Sequence, residues 1–394
     1  MGAVKAFLEA GYEFRGVTGT SIGAINGALI AQGDFEAGYR MWESMDLSLI
    51  FDFEANLMKK AINRKIDKNT IAKLSAAIRD IIENRGINTA KIRRMLDRII
   101  DEDKLRQSET VFGIVTVSVS DLKPLELYKE DIPAGKMSAY LMASANFPVF
   151  RLEPIDGKYY LDGGFYDNCP INLLIRKGFR EIIAVRTMGI GLVRKIEDDD
   201  VKVTNIFPSE DLGKVLNFNN QLIQRNLKMG YYDAMRAMKG LKGRKYYLKP
   251  QGGALTFQGL LSISEDAVVR IGKILALPPM EPKRMLFEKI IPVVARWLKL
   301  PDTASHEDVM IGLLEYAAAE RGIEKYHIYH FPQFVAAVKS ASVIKNTAPK
   351  AETNLPETMR SRNRAVRFSK DAVFSEILQS LLNLPESNPF QPPF

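Results

Sequence analysis

The chain has 394 residues, more than the roughly 100–200 of a single domain, so a main domain with a second one appended is expected. Hydrophobic residues at 46% and charged residues at 26% exclude a wholly disordered chain and a polytopic membrane protein. One cysteine, Cys169, excludes an intrachain disulfide and a cysteine-built metal site, and reads as a small buried residue.

Met1–Gly11 carries Lys5 and Glu9 in a short amphipathic stretch, which is neither a secretory signal nor a membrane span. The expectation is therefore a cytoplasmic protein, peripheral to a membrane at most. The net charge is +8, and residues 59–106 hold 14 Lys or Arg against 7 Asp or Glu, nearly the whole excess. A patch of that sign attracts anionic lipid surfaces or nucleic acid. With no nucleic-acid motif beside it, a solvated helical face or a lipid contact is expected and nucleic acid is not.

In chain order, the spacing predicts a helix over Gly2–Ala10, a turn at Gly11, a short strand near Arg15–Thr18, and a helix ending near Gly33. Residues 53–107 read as inserted basic helices, with Ile71, Leu74, Ile78, Ile81 and Ile82 spaced by three and four. Val111–Val119 and Glu181–Val185 are β-branched or apolar runs that read as buried strands, and Lys245–Leu248 reads as a further strand closed by Pro250. Strands alternating with helices give an α/β layered fold with a largely parallel central sheet. Past Gln251 the pattern turns helical and is cut by Pro278, Pro279, Pro282, Pro292 and Pro301. The expected division is a catalytic domain over 1–250, a helical domain over 251–346, and a linker, a last helix at Asp371–Leu384 and a disordered tail over 347–394.

Gly19-Thr20-Ser21-Ile22-Gly23 fits G-x-S-x-G between a predicted strand and a predicted helix of small residues, Ala24, Ala28 and Ala31. Such a turn exposes the serine Oγ at a helix N-terminus, where the helix dipole favours negative charge. Glycines at 19 and 23 are expected because a Cβ at either position would clash in so sharp a turn. Alone the motif is weak: about 0.1 chance matches are expected in a chain this long. A serine needs a base, and the three histidines, His306, His327 and His330, all fall in the helical C-terminal region. Lys158-Tyr159-Tyr160-Leu161-Asp162-Gly163-Gly164 offers another, a strand ending in an aspartate and two glycines, just after Ala143-Ser144-Ala145-Asn146-Phe147-Pro148.

Taken together and in this order, the three motifs resemble those of the patatin-like phospholipases: the G-x-S-x-G elbow, an alanine-serine-to-proline loop, and D-G-G. The resemblance covers about Gly2–Val185. It implies a three-layer patatin-like fold and a phospholipase A-type lipid acyl hydrolase with Ser21 as nucleophile and Asp162 as base. It also implies Gly163 and Gly164 as the D-G-G glycines, a phospholipid or other lipid ester as substrate, and no metal or organic cofactor.

One part of the family pattern is missing from this sequence. The family carries a G-G-G-x-[RK]-G loop after its first strand, whereas Met1-Gly2-Ala3-Val4-Lys5 reads as already inside the following helix. The N–H of Ile22 is then the remaining oxyanion donor at the elbow, and the chain is expected to be either the product of a late start site or an impaired hydrolase. Two alternatives stand beside this reading. One is an α/β-hydrolase esterase with Ser21, Asp162 and His306, His327 or His330 as a triad, and the other is a non-catalytic lipid-binding protein that keeps the elbow for structure. Met285–Leu300, apolar on one side and basic on the other, is a second candidate for membrane contact, against the plainer reading of a helix packed on its own domain.

Overall fold

The computed structural model describes residues 1–45, 88–148, 150–189, 191–213, 219–343 and 370–380. The periodic run from Ile71 to Ile82, the linker and the tail lie outside these residues. The chain forms two compact units, Met1–Ala234 and Met235–Phe394. The boundary falls inside a helix, Asn220–Lys239, not at the Gln251 turn.

The first unit opens with the expected alternation: α1 (Gly2–Glu9), β1 (Gly16–Thr20), α2 (Ile22–Ala31) and α3 (Phe35–Ser44). The described part of the insert gives α4 (Ala90–Ile99) and α5 (Glu102–Gln107). Arg93 and Lys104 pair with Glu153 and Asp34, and Arg106 donates to the carbonyls of Lys129 and Ile132, so this end of the segment is tied to the domain. Then follow β2 (Val111–Ser118), β3 (Lys123–Tyr128), α6 (Met137–Ser144), β4 (Tyr160–Asp162), α7 (Ile171–Arg176), β5 (Glu181–Val185), β6 (Lys202–Ile206) and α8 (Asn220–Lys239).

Strand β2 is the axis of this unit. Its Phe112 and Ile114 pack with residues of α2, α4 and α6 on one face. Over Gly113 the other face meets Leu173 of α7 at 3.3 Å from where a Cβ would stand, so helices cover both sides of the sheet. That is the three-layer α/β arrangement the sequence predicts. Three of the five strand ladders are parallel (β1–β2, β5–β6 and one in the second unit), and the two antiparallel ones both fall on β2.

The register on β2 sets up the site. β1 pairs with it in parallel over Val111–Val115 and β4 antiparallel over Thr116–Ser118, while β3 overlaps both stretches and therefore takes the opposite edge. β1 and β4 thus share one edge, running toward each other. Thr20 ends opposite Val115 and Asp162 ends opposite Thr116, so two residues far apart in sequence meet across one step of β2.

In the second unit, β7 (Tyr247–Leu248) pairs in parallel with β8 (Ile328–Tyr329), so the strand read as closing the catalytic domain belongs here instead. The remainder is helical, as expected: α9 (Gly253–Leu261), α10 (Glu265–Ile274), α11 (Pro282–Met285), a π-turn (Leu286–Ile290), α12 (Ile291–Trp297), α13 (His306–Glu320), α14 (Phe331–Ser340) and a helix over 370–380. Met285, Leu286, Ile290, Ile291 and Val294 are buried in its core. The amphipathic stretch Met285–Leu300 thus turns its apolar face inward, and the membrane contact read for it gives way to core packing. Among the described residues no helix is long and apolar enough to cross a membrane.

Candidate active site

Ser21 is the residue between β1 and α2, and its backbone is held at φ 58, ψ −129, a left-handed φ that L-residues rarely adopt. Such a conformation costs about 1–3 kcal/mol and persists only where its surroundings over-determine it. A Cβ on Gly19 would stand 2.2 Å from the Gly23 carbonyl oxygen, so glycine is required there. At Gly23 a Cβ would meet nothing within 4 Å, so the expected clash holds for Gly19 and not for Gly23. The N–H groups of Ile22 and Gly23 open α2, while that of Ala24 already bonds Ser21 O at 2.9 Å. First-turn amides have no intrahelical acceptor and favour an anion.

Asp162 ends β4 and is buried. The Ser21 side chain faces its carboxylate and favours the charged form. The Gly164 N–H donates to Oδ1 at 2.7 Å. Burial outweighs both influences and pushes the carboxyl up to about 6. Gly163 runs so close to β2 that a Cβ would lie 2.1 Å from the Val115 carbonyl oxygen, and one on Gly164 would lie 3.1 Å from Asp162 Oδ1. These two glycines let the chain turn away immediately after the carboxylate.

Four further residues brace this junction, and sequence reasoning assigned none of them a role. Ser144 Oγ accepts the Ser21 N–H at 3.0 Å and donates to Val115 O at 2.7 Å. Asn146 O accepts the Asp162 N–H at 3.0 Å. Thr18 and Thr20 of β1 donate through Oγ1 to Pro170 O and Asp167 O at 2.9 and 2.7 Å, stapling the segment after the glycines to the strand that carries Ser21. Alternation along β1 is the only sequence signal that marks the threonines.

A cavity of about 1670 Å³ opens on Ser21 and Asp162. Its walls include residues of β1 and β5, and the lining is largely apolar. No histidine lines it; the three histidines belong to the second unit. Cys169 lines it as well, with its thiol pushed up by burial, which disfavours the thiolate that chemistry would need. Around the mouth Ile22, Val185, Met188, Leu192 and Phe207 stand between 40% and 71% exposed, large apolar side chains with no core of their own.

The fold and site define an α/β domain with a serine on a strained strand-to-helix turn, facing a buried carboxylate from the end of an opposing strand. Residues 1–175 match the sequence model of the patatin-like phospholipases, and the first unit accordingly carries a patatin-like phospholipase domain. Among solved structures, the crystal structure of VipD from Legionella pneumophila is similar at 14% identity, over 97% of this chain and 87% of that one, with a TM-score of 0.36. No curated protein matches the chain.

Proposed function

We propose that the first unit is a serine acyl hydrolase of lipid esters, of phospholipase A type, in which Ser21 is the nucleophile and Asp162 the base. One observation carries the reading: Ser21, on a strained turn at the end of β1, stands beside a buried carboxylate that ends β4 one step along β2, and burial pushes that carboxyl up to about 6. A base near that value is roughly 90% ionised at pH 7 yet far more basic than an ordinary aspartate at about 3.9. Ser21 Oγ attacks the ester carbonyl while Asp162 takes its proton, and the oxyanion forms at the Ile22 and Gly23 amides at the head of α2. Asp162 returns the proton to the leaving alcohol. It then activates the water that cleaves the acyl-enzyme, so no other group is required.

Lipid as the substrate class rests on the family and on the cavity. At about 1670 Å³ the cavity exceeds the roughly 300–1,000 Å³ of an ordinary small-molecule site, leaving room for acyl chains. The exposed apolar side chains at its mouth suit contact with a lipid surface. A histidine triad has no support in the carboxylate's partners, which are Ser21 and Gly164. Hydrolysis of phospholipid vesicles and of a soluble nitrophenyl ester tests the proposal, with the parent beside Ser21→Ala. Loss of both activities in the variant is expected, and undiminished hydrolysis by the variant would reject it.

A further inference from the structure

We infer that Ser144 is a positioning residue for the nucleophile, and that the segment Ser144–Asn146 sets the Ser21–Asp162 geometry by holding the backbone of both. This rests on the reading of those two residues as nucleophile and base.

The argument starts from strain. Ser21 sits at φ 58 and ψ −129, and the first turn of α2 cannot supply an acceptor for its N–H, which lies ahead of the helix. That acceptor is Ser144 Oγ at 3.0 Å. The Ser144 proton is committed elsewhere, to Val115 O at 2.7 Å, so a lone pair is left facing Ser21. Ser144 is fully buried at the end of α6, whose Met137, Leu141 and Met142 are locked in the core. It is therefore a fixed point from which the turn is held, with no water to replace it.

Two residues further along, the same chain segment reaches the base. Asn146 O accepts the Asp162 N–H at 3.0 Å, and Asn146 Nδ2 donates to Tyr160 O at 3.0 Å, gripping β4 on both sides of Leu161. β1 and β4 approach each other along β2 without pairing with one another, so their register on β2 alone fixes how far apart their ends stand. Ser144–Asn146 adds a direct tie across that junction. The arrangement also takes the Ser21 amide out of oxyanion binding and leaves that task to Ile22 and Gly23.

A buried serine that merely satisfies its hydrogen bonds would affect folding stability alone. A positioning serine alters turnover per folded molecule. The test compares the parent with Ser144→Ala and with Ser144→Cys, which keeps the volume but offers a weaker acceptor. Turnover of a soluble nitrophenyl ester is read per folded molecule, and exchange of the Ser21 amide is followed by mass spectrometry. The expected result is a fall in kcat on the order of 100-fold for Ser144→Ala with KM changed less than about twofold. Ser144→Cys should lie between, and Ser21 amide exchange should accelerate about tenfold or more in Ser144→Ala.

Unchanged kcat per folded molecule in Ser144→Ala overturns the inference. So does unchanged exchange of the Ser21 amide, which is readable whatever the level of activity. Ser21→Ala and Asp162→Asn run alongside separate the two levels. If they retain turnover, the nucleophile-and-base reading has failed. If they lose it while Ser144→Ala keeps it, only the positioning role has.

Discussion

Both units bury carboxylates, and the contrast between Asp162 of the first and Glu315 of the second separates a chemical acid from a structural one. Glu315 in the second unit accepts the backbone N–H groups of Arg244, Lys245 and Tyr246 on a single oxygen at 2.8, 2.7 and 2.8 Å. Asp162 in the first accepts one backbone N–H, from Gly164, and otherwise faces a serine hydroxyl. Burial raises both above the usual carboxylate range. Glu315 spends its charge on organising a turn of the chain, whereas Asp162 keeps an oxygen for a proton that can move. Buried charge alone does not mark a reactive group; the kind of donor it faces does.

Substitutions at the two carboxylates should therefore fail in different ways. The largest effect is expected at the site. Ser21→Ala should lower ester turnover by about 10⁴-fold or more, and Asp162→Asn by about 10³–10⁴-fold. Stability should move the other way in Asp162→Asn. A carboxyl raised from 3.8 to about 6 binds its proton more tightly in the folded state, so stability falls as pH rises through that window and is level above it. Removing the charge should raise stability at pH 7 by up to about 3 kcal/mol, and the gain should vanish near pH 4, as read by denaturant melts at the two pH values.

Glu315→Ala should give the mirror image. Three amides lose their acceptor in a buried turn, which costs roughly 3 kcal/mol of stability in the second unit. Ester turnover per folded molecule in the first unit should stay within about twofold, by active-site titration. Smaller still is the effect expected at the cavity mouth. Met188→Asp with Leu192→Asp should weaken hydrolysis of phospholipid vesicles about tenfold and leave a soluble short-chain ester within about twofold. Equal losses on both substrates would remove the lipid-surface role from the rim.

Much of the first unit was legible because its signals are local. Val111–Ser118 and Glu181–Val185 are apolar runs bounded by polar or glycine positions, and the Gly19–Gly23 turn sits between a strand and a helix that each announce themselves. Strands β3 and β6 escaped notice because Lys123, Pro124 and Glu126 break the first, and Lys202 and Asn205 the second, as half-exposed outer strands allow. Tyr247–Leu248 is legible as a strand, whereas its partner Ile328–Tyr329 lies far along the chain and leaves no local trace of the unit both belong to.

At the site, motifs pointed to Ser21, Asp162 and the glycines, yet not to how they meet. The opposed approach of β1 and β4 depends on register, which only the paired strands reveal. Ser144 was visible as part of a motif, while its hydrogen bond to Ser21 was not. Gly23 shows the converse: the motif is present, but the steric reason offered for it does not apply.

The central claim, that Ser21 is activated by Asp162, is tested most directly by labelling the chain with a fluorophosphonate across pH 5–8 and mapping the adduct. The account predicts phosphonylation of Ser21 at a rate that rises with pH through about 6 in the parent and is lost in Asp162→Asn. An adduct that forms equally fast in Asp162→Asn, or a parent chain that takes no label at Ser21, would contradict it.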